Sequence, residues 1–139
     1  MSVDDSLTSI RLQPEQSKGT GLAFYPGAKV DPQAYVHVLR PVAEAGYPVN
    51  NMADRVGLEV TSVSATEVGL ATVSDIDDSV AELPPSTRFV PVVGAIHSYF
   101  GDYGLQSGDG TPSISREEAQ AQIADASVGF LDDIDAAGG

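Results

Sequence analysis

The sequence predicts an α/β fold, and three observations carry that prediction. Short β-rich apolar stretches alternate with helical patterns along the chain, the order expected of parallel strands joined by helical crossovers. Asp31-Pro32 marks a helix start: Asp31 can accept from free N–H groups, and Pro32 suits the first helical position. Ser115 and Glu118 have the spacing of a capping box, which opens a final helix.

The elements follow in order. Residues 1–7 read as a polar, disordered tail. "TSIRLQP" (Thr8 to Pro14) alternates as a short strand that Pro14 ends. "GLAFYP" is a short apolar strand of the kind a parallel sheet buries. The first helix carries Tyr35, Val38, Leu39, Val42 and Ala45 on one face. Pro41 should kink or weaken that helix, and Gly46 suits its left-handed cap. Asn50-Asn51 reads as a turn, and "LEVTSVSA" (Leu58 to Ala65) as a second core strand. Ser74 can cap a short helix that turns Ile76, Val80 and Leu83 inward before Pro84-Pro85 stops it. "RFVPVVGAI" is a third strand, demoted somewhat by Pro91. The last helix has an apolar stripe of Ala119, Ile123, Ala126, Phe130 and Ile134, and residues 136–139 read as a frayed tail. No internal repeat interrupts this plan, so residues 8–135 are expected to form a single domain.

Composition narrows the function classes. The chain has 139 residues and no cysteine, which excludes disulfides, thiolate metal sites and a cysteine nucleophile. Net charge is −13, with seven basic residues against twenty acidic ones. Such a surface repels nucleic acid and anionic membranes, and it suits a high-salt medium that screens self-repulsion. The opening residues show no secretory pattern, and no apolar run is long enough to span a bilayer, so the expected location is the cytoplasm. His37 and His97 with Asp102 and Asp109 can be drawn as a metal site, but His37 lies among the apolar positions of the first helix. No metal and no cofactor are expected.

Two stretches resemble the α/β-hydrolase superfamily, in the small group labelled alpha/beta hydrolase fold-5 and related to dienelactone hydrolases. One is "GLAFYPGAKVDPQAYVHVLRPVAEAGYPV"; the other runs from "LEVTSVSATEVGLATVSDIDDSVAELPPSTRFV" through "GAIHSYFGDYGLQSGDGTPSISREEAQAQI" to "GFLDDID". The resemblance implies a reduced three-layer α/β sandwich with a short, mostly parallel sheet. It also implies an oxyanion loop at Tyr25 to Ala28, in which Gly27 and Ala28 would offer backbone N–H groups to the negative oxygen of acyl transfer. By register His97 falls on the catalytic histidine position, whose role is to take and return the serine proton.

The same resemblance exposes losses. Val68 stands where the family carries its acid, and Val cannot orient an imidazole. Glu67 is the neighbouring substitute, although adjacent side chains of an extended segment point apart. No serine lies in a Gly-x-Ser-x-Gly elbow. The middle of the fold is missing, with residues 50–57 as the join. "GLAFY" would then pair directly with "LEVTSV", or a homodimer would form through exposed sheet edges. Three functions follow: a degenerate remnant without ester or acyl hydrolysis, a module that binds a small ester or carboxylate through the oxyanion loop and His97, or a hydrolase with an unrecognised nucleophile.

Overall fold

The computed structural model describes residues 1–6, 9–24, 31–50, 59–67, 69, 74, 78, 80–81 and 83–138. Among them the chain runs β1 (Ser2–Ser6), β2 (Ser9–Gln13), β3 (Leu22–Ala23), α1 (Val36–Glu44), β4 (Val49–Asn50), β5 (Thr61–Ala65), β6 (Arg88–Val92) and α2 (Arg116–Gly138). Single 3₁₀ turns cover Pro32–Tyr35 and His97–Phe100. This is a reduced α/β fold with short sheets, as the alternation predicts.

Among the described residues there are two sheets where one was expected. Four strands lie in the order β1-β2-β4-β3, and β5 pairs with β6 apart from them. The pairs β1–β2 and β2–β4 are antiparallel, while β3–β4 and β5–β6 are parallel. Among the described residues the expected pairing of "GLAFY" with "LEVTSV" is not made. β3 pairs instead with β4, Leu22 opposite Val49, after the short crossover through α1. The turn read at Asn50-Asn51 is overridden at its first residue. Val49 is fully buried between Leu12 and Leu22, and burial there outweighs the turn preference of Asn50.

Two further expectations change at the chain ends. Residues 2–6 are not a tail. They form the edge strand β1, in register from Ser2 opposite Gln13 to Ser6 opposite Ser9. Backbone pairing needs no apolar side chains, and polar residues are common on edges. Residues 136–138 continue α2 rather than fray, since Ala136 and Ala137 favour helix.

The local signals elsewhere hold. The Asp31 carboxylate accepts the Gln33 N–H at 3.0 Å, with Pro32 in the first turn. Gly46 takes the left-handed φ of 97° that ends α1. Pro41 sits inside α1, and the helix continues past it to Glu44. At α2 the capping box closes both ways: Glu118 N–H donates to Ser115 Oγ at 3.1 Å, and Ser115 N–H donates to Glu118 Oε2 at 2.8 Å. That bond pattern holds the Glu118 carboxyl below its ordinary value. The helix expected after Ser74 lies largely outside the described residues; Val80, expected inward, is exposed.

The core joins β2, α1, β4 and α2. Ile10, Leu12, Val42, Ala43, Tyr47 and Val49 are fully buried, and Ala119, Ile123 and Leu131 close over them from α2. α2 packs on α1 and also on β5 and β6. None of the described helices is long and apolar enough to cross a membrane.

Candidate functional site

The site is built where β5 and β6 end. The strands are parallel, so their C-terminal ends emerge side by side. Two bonds stitch the turns that follow. Gly94 N–H donates to Thr66 Oγ1 at 2.9 Å, and Glu67 N–H donates to the Ala95 carbonyl at 2.9 Å. His97 then opens a single 3₁₀ turn, with its side chain exposed and Ser98 completely buried beside it.

Three elements pin the loop that carries His97. From α2, Arg116 donates to the carbonyls of Ser98 and Gly101, and its guanidinium lies 5.0 Å from the Tyr99 ring centre. From the 3₁₀ turn before α1, the Ala34 carbonyl accepts the Asp102 N–H at 2.7 Å, and from α1 His37 Nδ1 lies 3.2 Å from Asp102 Oδ2. Asp102 Oδ1 also accepts from Gln120 Nε2 at 3.1 Å. His37 is therefore not on the apolar face of α1, as the sequence suggests. It is mostly exposed, and it reaches Asp102 of the loop after the His97 turn. Among the described residues no group of three His, Asp or Glu side chains is suited to a metal ion.

The third contact comes from the turn after β5. A Cβ on Gly110 would collide with the Glu67 carbonyl oxygen, and one on Gly69 would collide with that of Gly108. Gly108 itself adopts φ of 95°. These close approaches hold residues 108–110 against the turn after β5 and set Asp109 beside the start of the His97 loop.

Asp109 binds inward with both oxygens. Oδ2 accepts the Gln106 N–H at 2.8 Å, and Oδ1 faces the Ser98 N–H at 3.4 Å. The Ser98 hydroxyl reaches toward the same carboxylate without closing a hydrogen bond. Partial burial opposes ionisation of Asp109. The Gln106 and Ser98 donors and the nearby His97 outweigh it, and the carboxyl is held below its ordinary value. Its contribution to stability is therefore present above the unfolded-state value and is lost as pH falls through the folded one. Tyr103 lies in the same cluster: its hydroxyl donates to the His97 carbonyl at 3.5 Å, and burial first, then neighbouring Tyr35 and Asp109, push it up to about 12.

The residues expected at the site are thus only partly assembled. Glu67 reaches His97's loop through its backbone; its side chain is exposed, and among the described residues no ion pair joins it to His97. Gly27, Ala28 and Val68 lie outside the described residues. From sequence Asp109 meets His97 only in the metal site drawn with His37 and Asp102; in the structure it binds the backbone of the loop, at the Ser98 and Gln106 N–H groups. A surface depression of about 610 Å³ is lined by Met1 and residues 14–18 and 43–46, without His97 in its walls.

A parallel strand pair that ends in a pinned loop, with an exposed histidine at its start, fits the reduced α/β fold that the resemblance implies. The comparison with family models agrees: the alpha/beta hydrolase family matches residues 45–121, more than half the chain. This chain belongs to the alpha/beta hydrolase family. No curated protein and no solved structure matches it.

Proposed function

We propose that this chain is an alpha/beta hydrolase family protein without serine-hydrolase activity. The absence of a Gly-x-Ser-x-Gly elbow anywhere in its 139 residues carries the reading. Triad members act as a unit, so loss of the nucleophile forfeits nearly all triad catalysis. Two observations support it. Ser98, adjacent to His97, is completely buried, and Val68 occupies the acid position of the resemblance. The acidic surface suits a high-salt medium, so the test is run at low and at multi-molar salt.

Hydrolysis of a p-nitrophenyl ester is expected to be slow, to rise linearly with substrate, and to keep most of its rate in any serine variant. Saturable turnover that disappears in His97→Ala would overturn the reading. A second reading, binding of a small ester or carboxylate at His97, draws on the exposure of that side chain on a pinned loop. Dose-dependent thermal stabilisation by acetate or butyrate, absent in His97→Ala, would favour it over a remnant with no ligand.

A further inference from the structure

We infer that His37 and Asp102 form a pH-dependent latch that ties the loop after the His97 turn to α1, closed while the imidazole is charged and released when it is neutral. The device uses the chain's other histidine, on a helix face away from the ends of β5 and β6, and needs no catalytic step.

The geometry is that of a three-way junction. His37 Nδ1 lies 3.2 Å from Asp102 Oδ2, and among the described residues it is the one of the chain's two histidines within ion-pair distance of a carboxylate. Asp102 is already fixed from other sides. Gln120 Nε2 of α2 donates to its Oδ1 at 3.1 Å, and its backbone N–H donates to the Ala34 carbonyl at 2.7 Å. With the carboxylate held in advance, closing the latch orders little beyond the imidazole.

A latch also needs a second place for the moving part. His37 lines a cleft of about 210 Å³ between α1 and α2, walled by Val38, Pro41 and Ala121 and edged by Gln120 and Glu117. Apolar walls accept a neutral ring and disfavour a charged one, which would give up water and its carboxylate together.

The charged groups around His37 come from each packed element. The loop supplies Asp102, with Tyr103 beside it, and α2 supplies Glu117 at the cleft. Arg116 of the same helix is engaged by the Ser98 and Gly101 carbonyls. On α1 itself Arg40 stands three positions on, a helical neighbour that opposes the charged ring. The two carboxylates favour it. The latch therefore adds to loop docking at acid pH, and its contribution is lost as pH rises through the range in which imidazole titrates.

The Asp102 amide reads the latch directly, because its N–H closes the loop on the Ala34 carbonyl. Its hydrogen exchange is measured on the intact chain at pH 5.5 and pH 7.5 and one salt concentration. Protection is corrected for free-peptide exchange at each pH and referred to the amides of β2, so that a change in global stability cancels. Wild type is expected to be about two- to threefold more protected at the lower pH, the size of an exposed charge pair. His37→Gln and Asp102→Asn are each expected to show the weaker protection at both pH values. His37→Lys carries a charge that does not titrate in this range and is expected to keep the stronger protection at both. Equal protection of wild type at the two pH values overturns the inference. So does a pH dependence that survives in His37→Gln, which would belong to His97 or to another group. Ester turnover plays no part, so failure here is distinct from failure of the inactivity reading.

Discussion

The two sheets are stabilised in different ways. The four-stranded sheet has a core of its own, with Ile10, Leu12, Val42, Ala43, Tyr47 and Val49 all fully buried between strands and α1. The β5–β6 sheet buries only Ala65 and Val92, neither completely, and Phe89 is 39% exposed. A two-stranded sheet is marginal without a packed face. That face is supplied by α2, which packs on α1 as well as on β5 and β6.

The helix holds each side by a different kind of bond. Asp132 binds Tyr47 and Lys18 of the first half, and the Thr20 hydroxyl donates to Asp135 at 3.1 Å. The Tyr47 ring is buried, and Lys18 sits 4.0 Å from its centre. On the second half Asp133 pairs with Arg88 of β6 at 2.7 Å, and both side chains are largely exposed. The acidic run "DDID", Asp132 to Asp135, is therefore a clasp between halves. Its carboxylates find the chain's few cations and hydroxyls because helical spacing distributes them toward different neighbours. The contrast suggests that the second sheet, which carries His97, is the more loosely held.

Three substitutions sharpen that contrast. Leu131→Ala removes a buried side chain of α2 that is 2% exposed. It is expected to cost about 3 kcal/mol and to raise hydrogen exchange in β5 and β6 more than in β2 and β4. Equal loss in both sheets would break the comparison. Tyr47→Phe deletes a hydroxyl held by the clasp and is expected to cost about 1 kcal/mol in urea unfolding, with faster exchange around residues 18–22 and no change in β6. Asp133→Ala should have the smallest effect, under about 1 kcal/mol, because exposed ion pairs contribute little, and the effect should shrink further in salt.

Much of the fold is legible in the sequence because it rests on local chemistry. The Asp31-Pro32 start, the Gly46 cap, the Ser115–Glu118 box and the apolar stripe through Ala119, Ile123 and Phe130 each depend on residues within a few positions of one another. Strand partners are not local. β4 is two residues long and β1 is polar, so neither carries a periodic signal, and only the sheet that accepts them defines them. The site divides in the same way. His97 is found through a motif-bearing loop, whereas the approach of Asp109 and the reach of His37 to Asp102 arise from tertiary packing. Sequence neighbours such as Glu67 and Val68 point to the acid position, but not to the loop that folds onto it.

The central claim is that a hydrolase-family scaffold survives here without an activated nucleophile. Reaction with a fluorophosphonate probe, read by intact mass, tests it most directly, because only an activated serine is phosphonylated stoichiometrically. The account predicts no stoichiometric adduct at low or at multi-molar salt. One adduct per chain on a single serine, abolished by His97→Ala, would contradict it.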